Sequence, residues 1–168
     1  DAVVTGTLNG DTINYTLTTA TQFANVGGHP ITVALGLNPN YSVTPSDSTL
    51  TVNPRAATVM ANAKSKTYGA VNPTLDAVVT GTVNGDSLNY TLGTVATALS
   101  GVGGYPITVT LGLNPNYSVA PTGCTLTVNA AVATVAANAK SKTYGAVNPA
   151  LDAVVTGALN GDRTKENR

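Results

Sequence analysis

The sequence is poor in side chains that carry chemistry. It has no Trp, and only one Cys, one His, one Met and one Phe among 168 residues. A single Cys and a single His cannot form a disulfide within the chain or a four-ligand zinc site. The sequence contains no phosphate-binding loop, dinucleotide fingerprint or nucleophile elbow, and no acid–base pair recurs in it. We therefore expect no enzyme activity and no catalytic, cofactor-binding or metal-binding residues.

Charge and long apolar runs are also scarce. Charged residues make up 10% of the sequence, against roughly 25% in an ordinary globular domain. Eight basic and eight acidic side chains give a net charge of zero, so no basic surface for nucleic acid is expected. No stretch approaches the ~18 apolar residues that a membrane-spanning helix needs. The composition argues against a nucleic acid partner and against membrane insertion by this segment.

The abundant residues favour β-structure. One residue in six is Thr and Val is also frequent, and both branch at Cβ, which favours strands over helices. Good helix formers are rare, since Glu166 and Gln22 are the only residues of their types. Seventeen Gly and nine Pro supply many turns, so we expect an all-β fold of short strands.

The chain is a tandem repeat with a period of 76 residues. The segment DAVVTG occurs three times and LGLNPNYSV twice. Leu35 and Leu111 begin the two copies of the longer segment and lie 76 residues apart, whereas Asp1 and Asp76 lie 75 apart. One copy therefore differs by one residue within the stretch 91–102, which we interpret as a loop that tolerates insertion.

We place the repeat boundaries directly after the two TLTVN segments. Residues 1–53 are then a partial first repeat without its opening strands, 54–129 a complete repeat, and 130–162 the opening part of a third. Residues 163–168 form an off-pattern tail. Because the chain starts with Asp1 and not Met, we expect it to be a piece of a longer protein. We also expect its incomplete ends to leave open sheet edges that promote strand exchange between chains.

Apolar and polar residues alternate through most of the complete repeat, at 88–92, 105–111, 117–119 and 126–128. About seven short strands at ten-residue spacing predict a small antiparallel sandwich of immunoglobulin-like type. Asn84-Gly85 between two apolar runs predicts a type I′ turn. The segment 93–99 could instead be helical, which would make the module a β-grasp-like α+β fold.

Several short motifs in a fixed order carry a resemblance to a known family. They are KTYG at 66–69, GTVNGD at 81–86, VGGYPITV at 102–109, NPNYSV at 114–119 and TLTVN at 125–129. This combination resembles the MBG repeats of the YGX type, which are tandem modules of bacterial surface and secreted adhesins. The resemblance implies an extracellular or cell-surface β module with no catalytic residues.

Three recurring residue types could carry a function. Asp11, Asp86 and Asp162 follow Asn-Gly and could bind Ca²⁺, but too few carboxylates surround them, so we interpret them as turn residues. The lysine pairs could form Lys–Asn isopeptide bonds, or could lie solvated on a strand edge and protect it from other strands. The paired tyrosines could bind sugar or form the core with their hydroxyls at the surface. The lysines are Lys64, Lys66, Lys140 and Lys142, and the tyrosine pairs are Tyr15 with Tyr90, Tyr41 with Tyr117 and Tyr68 with Tyr144.

Two functions fit these observations. A module of about 76 residues is marginally stable alone, so neighbouring repeats of the same chain are expected partners. The joints between repeats are nearly direct, which predicts a semi-rigid stalk or spacer in a large bacterial surface or secreted adhesin. The alternative is an adhesive module that binds a host glycan or glycoprotein through its loops.

Overall fold

The computed structural model describes residues 1–159, and this part of the chain folds into strands joined by turns and loops. The strands are β1 (Tyr15–Thr18), β2 (Gly27–Leu35), β3 (Ser48–Val52), β4 (Arg55–Ala61), β5 (Lys64–Thr67), β6 (Ala77–Thr80), β7 (Tyr90–Thr94), β8 (Gly103–Leu111), β9 (Tyr117–Thr122), β10 (Cys124–Asn129), β11 (Thr134–Ala137) and β12 (Ala153–Thr156). The all-β expectation is confirmed. The predicted off-pattern tail and the last residues of the third repeat lie outside the described residues.

The segment that could have been helical is not a helix. Residues 93 and 94 end strand β7, and residues 95–99 form a bend and a turn. The corresponding strand in the first repeat, β1, has four residues, against five in β7. The inserted residue therefore lies at the end of this strand and the start of its loop, inside the stretch that the repeat spacing indicated.

Spatial proximity divides the chain into two compact units that do not coincide with the repeats. The first contains residues 1–57, 81–89 and 113–120, and the second contains 58–80, 90–112 and the chain from 121 onward. In the first unit, β1, β2 and β3 form an antiparallel sheet in that order. Tyr15 lies opposite Leu35 in the first strand pair, and Gly27 lies opposite Val52 in the second.

The second unit contains a four-stranded sheet in the order β5-β10-β8-β7. Tyr90 lies opposite Leu111 in the β7–β8 pair, which is the register of Tyr15 and Leu35 one repeat earlier. Strand β10 pairs with β8 antiparallel and with β5 parallel. The parallel pair is a departure from the expected antiparallel arrangement. The other sheets have the orders β6-β4-β9 and β11-β12.

The core of the complete repeat lies between its two sheets. Ala61 of β4 packs with Ile107 of β8, Leu126 of β10 and Ala96 of the loop between β7 and β8. Ile107 and Leu126 are 1% and 0% exposed, and burying an aliphatic side chain of this size stabilises a fold by about 1.5–3 kcal/mol. Since both sheets contribute to one core, the complete repeat is sandwich-like, as its strand pattern predicted. Its seven strands, β4 to β10, also match the expected number.

Candidate functional site: the joints between repeats

The first joint between repeats is only two residues long. Strand β3 ends at Val52 and β4 begins at Arg55, so Asn53 and Pro54 are the only residues between them. Both the backbone and the side chain of Arg55 are held by hydrogen bonds. Its amide nitrogen donates to the Asn116 carbonyl at 3.0 Å, and its Nε donates to the Gly81 carbonyl at 2.9 Å. A proline and a doubly bonded arginine leave the joint little backbone freedom.

The side chain of Asn116 bonds the complete repeat to the first repeat. Its Oδ1 accepts a hydrogen bond from the Val26 amide at 2.9 Å, and its Nδ2 donates to Oδ1 of Asn25 at 2.9 Å. All three residues belong to the first compact unit. One amide side chain thus uses both its acceptor and its donor across a repeat boundary.

The loop that carries Asn25 is held in place by a hydrogen bond to the imidazole ring of His29. Nε2 of His29 lies 2.6 Å from the Asn25 carbonyl oxygen. In the complete repeat the hydroxyl of Tyr105 donates to the Gly101 carbonyl at 2.9 Å, and these residues occupy the same two positions. His29 and Tyr105 are therefore different side chains with one structural role.

The two asparagines of the Asn-Pro-Asn motif have different partners. Asn114 accepts from the Asn89 amide at 2.7 Å and donates to the Asn89 carbonyl at 3.0 Å. Asn38 makes the same pair of bonds to Asn14, also at 2.7 and 3.0 Å. The first asparagine of the motif therefore acts inside its own repeat, and only the second reaches a neighbour. Sequence reasoning missed this division, because both asparagines recur at the same period.

The second joint packs apolar side chains instead of amides. Strand β10 ends at Asn129 and β11 begins at Thr134. Tyr68 and Val102 of the complete repeat line one cavity together with Val155 and Leu159 of the third repeat. Leu159 packs so closely on Gly69 that a Cβ atom at that glycine would collide with it. Because that leucine methyl can move, the requirement for glycine comes from the φ of +85° at Gly69, and Gly145 at the same position in the third repeat has φ of +82°.

The first two Asn-Gly-Asp segments are turns, as predicted, and the third, with Asp162, lies outside the described residues. Asn9 and Asn84 have φ of 55° and 58°, and Gly10 and Gly85 have φ of 78° and 75°. Two successive positive φ angles define a type I′ turn. In the second of these turns the Asp86 amide donates to the Val83 carbonyl at 3.0 Å. Within residues 1–159, no three His, Cys, Asp or Glu side chains lie close enough together to hold a metal ion.

The lysines do not all lie on a solvated edge. Lys64 and Lys140 make ion pairs of 2.8 Å with Asp76 and Asp152. Lys66, by contrast, is 7% exposed, and its Nζ donates to the carbonyls of Ala70, at 3.0 Å, and Thr97. The expectation of a solvated lysine is therefore wrong for Lys66, because two backbone carbonyls of its own repeat accept hydrogen bonds from its ammonium group. Strand β5 is still an edge strand, and an inward-pointing charge is another way to protect an edge.

The tyrosines are amphipathic and mostly half-buried. Tyr105 packs against the core of the complete repeat, and Tyr41 and Tyr117 donate their hydroxyls to Asp11 and Asp86, each at 2.7 Å. Tyr144 in the third repeat is fully exposed. The half-buried rings with bonded hydroxyls agree better with the core interpretation than with a sugar-binding surface.

Two remaining observations concern the single cysteine and the membrane. Cys124 is a half-buried free thiol that packs against the core of the complete repeat. Among the described residues there is no helix with the length and apolar character needed to span a bilayer.

Comparison with protein families gives a match over nearly the whole chain. The profile of the MBG domain (YGX type) matches residues 1–51, 57–127 and 133–167. No curated protein and no solved structure gave a match. The three matched segments follow one another in register with the repeats, and together they cover well over half of the sequence. The chain therefore belongs to the MBG domain family of the YGX type, as a tandem array of its repeats.

Proposed function

We propose that this array is a stalk or spacer of a large bacterial adhesin that is secreted or held at the cell surface. The observation that carries the proposal is the bridge from Asn116 to Asn25 and Val26, with both bonds at 2.9 Å. The loop that carries Asn116 is hydrogen-bonded to the preceding repeat, and these bonds limit bending at the joint. Limited bending is what a spacer needs in order to hold a terminal domain away from its anchor.

Composition supports a location outside the cell. The sequence is neutral and one residue in six is Thr, so neighbouring copies of the repeat do not repel each other along the array. The eight Lys and Arg residues also leave few cleavage sites for trypsin-like proteases. A chain of this kind is suited to remain folded and extended where proteases are present.

The alternative, a module that binds host glycan, is less well supported by the surface. A shallow polar cleft at the end of the complete repeat is lined by Asp86, Asn89, Asn114 and Tyr117. The Asp86 and Tyr117 side chains bond to each other, and the Asn114 side chain bonds to the backbone of Asn89. Polar groups that are already paired gain little by binding a sugar, because they exchange one hydrogen bond for another.

The spacer proposal is tested at the Asn116 bridge in the 168-residue chain. Asn116→Ala removes two hydrogen bonds, which together are worth about 1–3 kcal/mol. We expect ¹⁵N relaxation to show the first and complete repeats reorienting more independently, and small-angle scattering to show a broader distribution of dimensions. Asn40→Ala is the matched control, because Asn40 has the same place in the first repeat and no role at this joint.

Two outcomes would count against the spacer. Unchanged relaxation and scattering in Asn116→Ala would show that the bridge does not stiffen the joint. Saturable binding of the wild-type chain to a glycan array or to mucin would favour the adhesive module instead.

A further inference from the structure

Two exposed asparagines stand next to a glycine, which makes their side-chain amides chemically labile. They are Asn9 and Asn84, and both are exposed together with the glycine that follows. A glycine amide nitrogen has no neighbouring Cβ to shield it, so it can attack the Cγ atom of the asparagine before it. The other asparagines in residues 1–159 precede Pro, Tyr, Ala or Val. Proline has no N–H to lose, and the other three side chains crowd the nitrogen.

The reaction that such a pair undergoes is deamidation, and its only co-reactant is water. The Gly85 nitrogen forms a bond to Cγ of Asn84, and its proton leaves with the side-chain nitrogen as ammonia. The product is a cyclic imide, which water opens at either of its two carbonyls to give Asp or isoAsp. No atom changes its oxidation state, so neither an oxidant nor a reductant is needed.

The folded turn holds the reacting atoms apart. The φ angles of 58° at Asn84 and 75° at Gly85 are those of a type I′ turn, in which ψ of the first residue is about +30°. At this ψ the Gly85 nitrogen and Cβ of Asn84 lie on opposite sides of the Cα–C bond, so the imide ring cannot close. Closure needs a rotation of about 150° around that bond, which breaks the 3.0 Å hydrogen bond from the Asp86 amide to the Val83 carbonyl.

A tyrosine hydroxyl holds each of the two turns closed. Tyr117 accepts a hydrogen bond from the Val83 amide at 3.1 Å and donates one to the Asp86 carboxylate at 2.7 Å. Val83 and Asp86 flank the Asn-Gly pair, so opening the turn separates them and breaks at least one bond to the hydroxyl. Tyr41 makes the same two bonds around the first Asn-Gly pair, at 3.0 and 2.7 Å.

We propose that Asn84 and Asn9 are deamidation sites, and that the tyrosine hydroxyl of the same repeat controls their reaction. While the hydroxyl bridges the turn, the asparagine is held in a geometry that does not react. When the turn opens, the imide forms. The isoAsp product has one more backbone atom than a two-residue type I′ loop accommodates, and its new carboxylate repels that of Asp86. A turn that has reacted therefore does not close again, and the change is permanent in that repeat.

The two sites allow a matched test, because their local sequences, LNGDT and VNGDS, are nearly identical. The 168-residue chain is incubated at mildly alkaline pH, and the two Asn-Gly peptides are followed by mass spectrometry, with isoAsp labelled by isoaspartyl methyltransferase. In urea, where no turn persists, both sites are expected to react at the same rate. In the folded wild-type chain both are expected to react at least roughly tenfold more slowly.

Tyr117→Phe and Tyr41→Phe are reciprocal variants, because each removes one hydroxyl and keeps the ring. Tyr117→Phe is expected to accelerate deamidation of Asn84 roughly tenfold in the folded chain and to leave Asn9 unchanged. Tyr41→Phe is expected to do the reverse. Each rate is divided by the rate of the same variant in urea, which removes any effect on the intrinsic chemistry.

A further measurement separates opening of the turn from loss of the fold. The methyl NMR signals of Ile107 and Leu126, which lie in the core of the complete repeat, should keep their wild-type positions in Tyr117→Phe. If they do not, Asp86→Ala replaces this variant, because it removes one partner of the hydroxyl and is expected to give the same selective acceleration at Asn84.

Three results would each overturn the proposal. The first is a rate at Asn84 that is as high in the folded wild-type chain as in urea. The second is a folded variant, Tyr117→Phe or its replacement, in which Asn84 is not accelerated more than Asn9. The third is a lack of isoAsp at both sites in urea.

Discussion

The hydroxyl of Tyr117 donates a hydrogen bond of 2.7 Å to Oδ2 of Asp86, and it also accepts one of 3.1 Å from the Val83 amide. Tyr41 makes the same two contacts one repeat earlier, with Asp11 at 2.7 Å and the Leu8 amide at 3.0 Å. The Val83 amide lowers the pKa of the Tyr117 hydroxyl, but the Asp86 carboxylate and desolvation raise this pKa further, so that it lies above its ordinary value. One ring therefore fixes both sides of the Asn-Gly turn, and the arrangement recurs in both repeats.

Removing this hydroxyl is expected to loosen the turn. Tyr117→Phe keeps the ring but leaves the Val83 amide and the Asp86 carboxylate without their shared partner. Hydrogen exchange of the Val83 amide should accelerate accordingly. Tyr41→Phe is expected to affect the Leu8 amide and to leave Val83 unchanged. Equal protection of Val83 in wild type and Tyr117→Phe would contradict this role.

Gly81 is expected to tolerate no side chain. It has φ of +87°, and a Cβ at this position would lie 2.6 Å from the Ala56 carbonyl oxygen. Gly6 has a φ of +84° with no atom within 4 Å of such a Cβ, so Gly6→Ala carries the backbone strain alone. That strain is worth roughly 1–2 kcal/mol. Gly81→Ala should lower the urea midpoint of the complete repeat, followed by NMR, clearly more than Gly6→Ala lowers that of the first repeat. Similar losses would show that the contact with Ala56 relaxes freely.

Acid is expected to weaken the pairing of Lys64 with Asp76. The hydrogen bond from Lys64, assisted by one from Asn62, holds the pKa of Asp76 below its ordinary value of 3.8. Because this pKa is lower in the folded state, the pair stabilises the fold above pH 3.8, and the stabilisation is lost as the pH falls through the lowered pKa. Carboxyl NMR titration of Lys64→Met should show the Asp76 pKa returning toward its ordinary value. Asp152, which is paired with Lys140, is the internal control and should titrate unchanged.

Lys66 and Lys142 have the same sequence context but different surroundings, which allows a matched comparison. Lys66→Met keeps the aliphatic stem and leaves the Ala70 and Thr97 carbonyls without their donor, at a cost of about 1–3 kcal/mol. The Gly69 amide, which donates to the Ala98 carbonyl at 3.0 Å, should then exchange faster. Lys142→Met changes an exposed side chain and is expected to shift stability by less than about 0.5 kcal/mol. Equal effects of the two substitutions would mean that the burial of Lys66 does not matter to the fold.

Local chemistry made much of the fold predictable. The Asn-Gly turn follows from the tolerance of Asn and Gly for positive φ, and the alternation at 105–111 follows from the two faces of a strand. The parallel pairing of β5 with β10 could not be predicted, because the residues Lys64 and Leu126 that it brings together are far apart in sequence. The role of Asn116 was hidden for the same reason, since its partner Asn25 lies 91 residues away.

The sequence by itself determined the period, the β-character and the turns of this protein, because these depend on residues close together in the chain. Tertiary structure alone decided which copies of a segment become strands. The tetrapeptide AVVT occurs at 2–5, 77–80 and 153–156; it forms β6 and β12 in the second and third copies but no strand in the first. β6 pairs with Thr58–Ala61 of β4, and β12 with β11, whereas residues 2–5 pair with no strand in the part of the chain that the structure describes. A strand needs a second backbone to satisfy its hydrogen bonds, so its own sequence is not sufficient.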